Sequence, residues 1–104
     1  MEGIWFAHFK SGEIHGEGIA VLHNGRIEGG DPAHTYFGSY QEDGPHLYAN
    51  VRVSPYPGSS VPADLTHPVT YFLQGSMTGN SAKVAGHPDN HPETLLSIEL
   101  RKGE

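Results

Sequence analysis

Apolar and polar residues alternate with a period of two along most of this chain, the pattern of strands that bury one face. The clearest stretch is His46 to Ser54, where Leu47, Ala49, Val51 and Val53 share one face and Tyr48, Asn50 and Arg52 the other. Gly16 to His23 alternates likewise and ends at Asn24-Gly25. Both of those residues accept the positive φ of a type I′ turn, so the pair predicts a tight hairpin returning through Arg26-Ile27-Glu28. Gly29-Gly30 follows, and adjacent glycines in a strand pattern predict a bulge or sharp bend where backbone approaches backbone. A hairpin bent in this way curls an antiparallel sheet towards a closed barrel.

The remaining runs fill out the same architecture. Gly3 to Lys10 is apolar on both alternating faces and closes at Ser11-Gly12. If Trp5, Ala7 and Phe9 point inward, Ile4 and Phe6 point out and await a partner. Ala33 to Gln41 is a fourth strand with Tyr36, Gly38 and Tyr40 on one face, turned by Glu42-Asp43-Gly44-Pro45. Pro55 to Pro68 holds four prolines and breaks any strand, with one helical turn expected near Ser60-Val61-Pro62-Ala63-Asp64. Val69 to Thr78, Ser81 to Gly86 and Glu93 to Lys102 complete about eight short strands, with a His87-to-Pro92 loop before the last. No segment carries a sustained helical period. The expected fold is all-β, a small antiparallel up-and-down barrel or a sandwich, in a single domain over residues 1–104.

Barrel closure sets the last strand beside the first. Arg101 is therefore expected near Trp5, as a cation–π plug at the barrel mouth, the alternative being a Trp that simply packs in the core. Gly3-Ile4-Trp5 with a late Arg resembles the Gly-x-Trp signature of the lipocalin-like (calycin) barrels.

Composition narrows the function more than it names it. Cysteine is absent, which excludes disulfides, thiolate chemistry and cysteine-ligated metals. Lys and Arg total 6 against 12 for Asp and Glu, a formal charge of -6, and that argues against nucleic acid as a partner. An acidic surface suits a partner with basic patches. No apolar run approaches the ~18 residues of a membrane span, and Met1-Glu2-Gly3-Ile4-Trp5 lacks a signal-peptide pattern, so a cytoplasmic protein is expected. The histidines His8, His15, His23, His34, His46, His67, His87 and His91 show no metal-ligand spacing within one strand, and Pro88 and Pro92 deny His87 and His91 a helix. Ser59, Ser60 and Ser76 sit on no nucleophile elbow, so neither a metal nor catalysis is expected. Asp31, before Pro32-Ala33, reads as the acceptor of an Asx turn, with a ligand-binding carboxylate as the other reading. Glu42 and Asp43 occupy a predicted exposed tip, where interaction residues gather.

Taken together, Gly3-Ile4-Trp5, Gly16-Glu17-Gly18, Asn24-Gly25, Gly29-Gly30-Asp31 and Tyr36-x-Gly38-x-Tyr40 with Asp43 occur in one order. That order resembles the GrlR-like family, negative regulators of type III secretion and their relatives, over roughly residues 3 to 53. The resemblance implies a lipocalin-like barrel, a homodimer and no catalysis. It also implies binding of a transcriptional activator through an acidic Glu-Asp-Glu-Asp motif, of which only Glu42 and Asp43 carry over here. Two function classes follow. One is a regulatory interaction protein, dimeric through Ile4 and Phe6, that binds a basic protein through Glu42 and Asp43. The other is a carrier or sensor of an apolar small molecule, with Trp5, Phe9, Leu47, Val51, Val53 and Tyr71 lining the cavity or filling it, and no cofactor in either case.

Overall fold

The computed structural model describes residues 1–55, 68–89 and 93–103. Eight antiparallel strands follow one another around a closed barrel: β1 (Gly3–Ser11), β2 (Ile14–His23), β3 (Arg26–Gly30), β4 (His34–Asp43), β5 (His46–Pro55), β6 (Val69–Thr78), β7 (Ser81–Pro88) and β8 (Leu96–Lys102). β8 pairs back onto β1, so among the described residues each strand hydrogen-bonds to its neighbours in the chain and the first to the last. Of the barrel and the sandwich that the alternating pattern allows, the chain forms the barrel, of the small lipocalin-like kind that the resemblance implies. No helix among the described residues is long and apolar enough to cross a membrane. The helical turn expected near Ser60 lies outside the described residues, as do Ser59, His67 and His91.

The turns form for the reasons that the sequence supplies. Asn24 and Gly25 both adopt positive φ, 51° and 79°, and the His23↔Arg26 pair closes the hairpin. Side-chain alternation then sorts the residues. Trp5, Ala7, Ala20, Leu22, Ile27, Leu47, Leu73, Ala82, Val84 and Leu100 form one buried core, with Met1, Tyr40 and Met77 packed against it. These belong to the end of the barrel near Trp5. Towards the other end, inward-facing Phe9, Val53, Tyr71 and Leu96 are only half-buried.

Three expectations are corrected. Gly29 and Gly30 form no bulge: they pair in register with Ala20 and Ile19 on one side and with Tyr36 and Thr35 on the other. The close approach is real, because a Cβ on Gly29 would stand 2.0 Å from the Ile19 carbonyl oxygen, and one on Gly38 1.9 Å from that of Asn50. Glycine thus bends these strands within the ladder rather than by interrupting it. The acidic tip is also shorter than expected. β4 runs through Glu42 and Asp43, which pair with Leu47 and His46, and only Gly44 and Pro45 form the turn. Finally, Arg101 lies opposite Phe6 on the outer wall, and Lys102 stands opposite Trp5. A one-residue difference in register exchanges the two faces of a strand, and it abolishes the Arg101–Trp5 plug.

Candidate functional site

Trp5 is 2% exposed, and its indole Nε1 is a buried donor with no hydrogen-bond partner among the described residues. The other residues expected to line a cavity also face inward. Leu47 is buried, Val51 and Tyr71 pack on the core, and Phe9 and Val53 stand half-buried towards the opposite end. Burial pushes the Tyr71 phenol above its usual range. The inner wall is crowded locally by rings laid over glycines. A Cβ on Gly16 would come 2.2 Å from the Phe9 ring, and one on Gly18 would come 2.6 Å from the Tyr36 hydroxyl. These contacts use the small residues to seat aromatic side chains inside a narrow barrel.

Asp31 is a structural acceptor, as the Asx-turn reading expects. Its Oδ1 accepts the Ala33 and His34 backbone N–H groups, each at 2.8 Å, and its Oδ2 accepts the Tyr36 hydroxyl. The His34 ring lies 3.3 Å away. Burial alone would raise the Asp31 pKa. The Tyr36 hydroxyl, the two N–H groups and the neighbouring His34 outweigh it and hold the carboxyl below its usual value.

Glu42 and Asp43 divide in role. The Met1 amino group meets Glu42 Oε1 at 2.6 Å, so this carboxylate is tied to the fold. Tyr40 supports the same corner, donating to the Met1 carbonyl at 2.6 Å and to Glu2 at 3.3 Å. Burial raises the Tyr40 pKa, and the charges of Glu2 and Glu42 raise it further. Asp43 is exposed beside the turn.

The outer wall carries the more extensive feature. Ile4 and Phe6 point outward, 45% and 54% exposed, and they stand directly opposite Val21 and Ile19, which are exposed as well. Four apolar side chains on two strands thus form one patch. Phe37 is separated from Val21 only by Glu28, and Tyr48 and Phe72 are exposed on β5 and β6. Further along the same face, His8 is flanked by Glu17 on β2 and by Glu99 on β8, with Nδ1 3.6 Å from Glu17. The His8 and His15 rings lie 5.9 Å apart, a proximity across strands that spacing within one strand could not reveal. Among the described residues no three His, Asp or Glu side chains are grouped to hold a metal ion. A groove of about 570 Å³ runs over this face, bounded by Phe6, His8, Glu17, Ile19, Pro32 and Arg101 among others. No protein-family model and no curated protein matches the sequence.

Proposed function

We propose that this barrel is a non-enzymatic interaction protein of the GrlR-like kind, a homodimer that restrains a basic regulatory protein by binding it. The observation that carries this reading is the outer wall, where Ile4–Val21 and Phe6–Ile19 present adjacent apolar pairs to solvent. Barrels ordinarily turn polar residues outward, and a cluster of exposed apolar ones marks a contact surface. The family resemblance implies a homodimer, and β1, apolar on both faces, makes this patch the surface that a second copy would cover. The formal charge of -6 favours a basic protein as the further partner, with Asp43 and the outer-wall carboxylates available to it.

Capture from an extract of the native host, followed by native mass spectrometry of the protein as purified, tests the reading. A single basic protein retained in stoichiometric amount and released as salt rises supports it. A small molecule retained by the purified barrel, with no protein captured, replaces it with the carrier reading.

A further inference from the structure

Among the described residues the barrel wall is not paired along its whole height. β3 covers β2 only from Ile19 to His23, because the chain leaves the ladder at Asp31-Pro32 and turns back into β4. Asp31 closes that turn itself, its N–H donating to the His34 carbonyl at 2.9 Å. The upper half of β2 is left with β1 on one side and, among the described residues, no strand on the other.

The register tells which backbone groups face the gap. Gly103 N–H donates to the Ile4 carbonyl, so the amide groups of Ile4, Phe6 and His8 face β8, and those of Trp5, Ala7 and Phe9 face β2. Their partners Ala20, Gly18 and Gly16 therefore face β1. His15, Glu17 and Ile19 face the other way. Gly30 serves Ile19, whereas the N–H and C=O of His15 and Glu17 have no backbone partner among the described residues. Both side chains project to the outer wall, and the Glu17 side chain is 82% exposed.

We propose that this free edge is a strand-addition site, which takes a short extended segment of another protein with Lys or Arg opposite Glu17. Two residues whose backbone groups have no partner among the described residues offer up to four ladder hydrogen bonds to an added strand. The chemistry of the incoming side chain follows from the charges around it. Among the described residues the His8 ring is the ion-pair partner of the Glu17 carboxylate, and Glu99 stands on the far side of His8, paired at 3.9 Å with Lys83. The groove they share sets Glu17, Asp31 and Glu99 against Arg101. A basic side chain opposite Glu17 therefore meets net negative charge, on a chain that is negative overall. Gly30 and the Asp31 turn end the gap at Ile19, so the segment is short and enters from the end of the barrel opposite Trp5.

The inference deepens the reading of the barrel as a protein-docking module and rests on it, and the test separates the two. Isotope-labelled protein is titrated with a blocked pentapeptide alternating valine and lysine, beside its valine–glutamate counterpart. The His15 and Glu17 amides should exchange fast in the free protein and slow by at least about tenfold with the lysine peptide alone. Glu17→Lys should reverse the preference between the two peptides. Amides already protected in the free protein, with protection lost on dilution, would assign the edge to a second copy and overturn the proposal. So would the absence of any change at millimolar peptide, or changes confined to inward-facing Phe9 and Tyr71. If Glu17→Lys still captures the host partner as well as wild type does, the edge is not its site and the docking module stands.

Discussion

The Tyr36 hydroxyl donates to Asp31 Oδ2, so an inward-facing ring of β4 is tied to the turn that delivers the strand. The same carboxylate holds two backbone N–H groups of that turn. Hydrogen bonds to a charged, largely buried acceptor contribute about 1.5–3 kcal/mol, so Asp31→Ala should cost an amount in that range by urea unfolding. The pH dependence has a definite sign. The folded-state pKa of Asp31 is depressed, so its contribution is fully present above the unfolded value of about 4 and is lost as pH falls through the lower folded value. Asp31→Asn should flatten the acid limb of the stability curve. An unchanged acid limb would show that the carboxylate charge is not what holds the turn.

Trp5 offers a second test, because its ring and its N–H act in opposite senses. Trp5→Ala should cost about 3–5 kcal/mol through the cavity it leaves. Trp5→Phe also loses volume, but it removes a buried donor that has no partner among the described residues and whose burial costs about 1–3 kcal/mol. The Phe variant should therefore stay within about 1.5 kcal/mol of wild type by thermal unfolding. A loss close to that of the Ala variant would mean that the indole N–H has an acceptor.

At Gly29 the ladder leaves no room for a side chain, since a Cβ would stand 2.0 Å from a carbonyl oxygen of the neighbouring strand. Gly29→Ala forces backbone apart from backbone and should cost at least about 1–3 kcal/mol, the usual range for overpacking. Chemical-shift changes should reach Ile19 and Ala20 across the ladder. A neutral substitution would mean that the strand can slide to accommodate a methyl group.

What the sequence made legible was local. Val69 to Thr78 reads as a strand residue for residue, because its alternation is bounded by proline on one side and Gly79-Asn80 on the other. Asn24-Gly25 reads as a turn because both residues tolerate positive φ. Glu42 and Asp43 did not read as strand, since acidic residues beside Gly44-Pro45 look like a turn, and only pairing with His46 and Leu47 places them in the ladder. The face of Arg101 was illegible for a related reason. Strand ends fix the face of a residue only through the cross-strand register, which spacing along one strand does not carry. The edge that His15 and Glu17 leave without a backbone partner among the described residues is further still from the sequence, because it arises from where another strand stops.

Glu42 and Asp43 are adjacent in sequence and should differ in effect. Glu42 meets the Met1 amino group at 2.6 Å, whereas Asp43 makes no ion pair among the described residues. Glu42→Gln should cost about 0.5–1 kcal/mol, and Asp43→Asn should stay within about 0.5 kcal/mol. Chemical denaturation of the two single variants at low salt resolves the difference. Equal small effects would leave both carboxylates free for a partner.

The last prediction concerns the apolar wall. Ile4 and Phe6 project outward from β1 at 45% and 54% exposure, so neither fills the core, and replacing them should leave stability within about 0.5 kcal/mol per site. Their value lies in what covers them. With Val21 and Ile19 opposite, they give a patch shared by two strands, and such a patch can meet its own copy across a two-fold axis. Wild type should therefore scatter light as a dimer at micromolar concentration, and Ile4→Lys with Phe6→Lys should give a folded monomer. Lysines there set like charges against each other across the axis and leave buried charge without a partner, which favours dissociation. A dimer that survives the double substitution moves the interface to the other exposed rings, Tyr48 and Phe72, on adjacent strands of the same outer wall. A wild type that is monomeric at every concentration leaves the patch to a different protein, and the homodimer is then wrong.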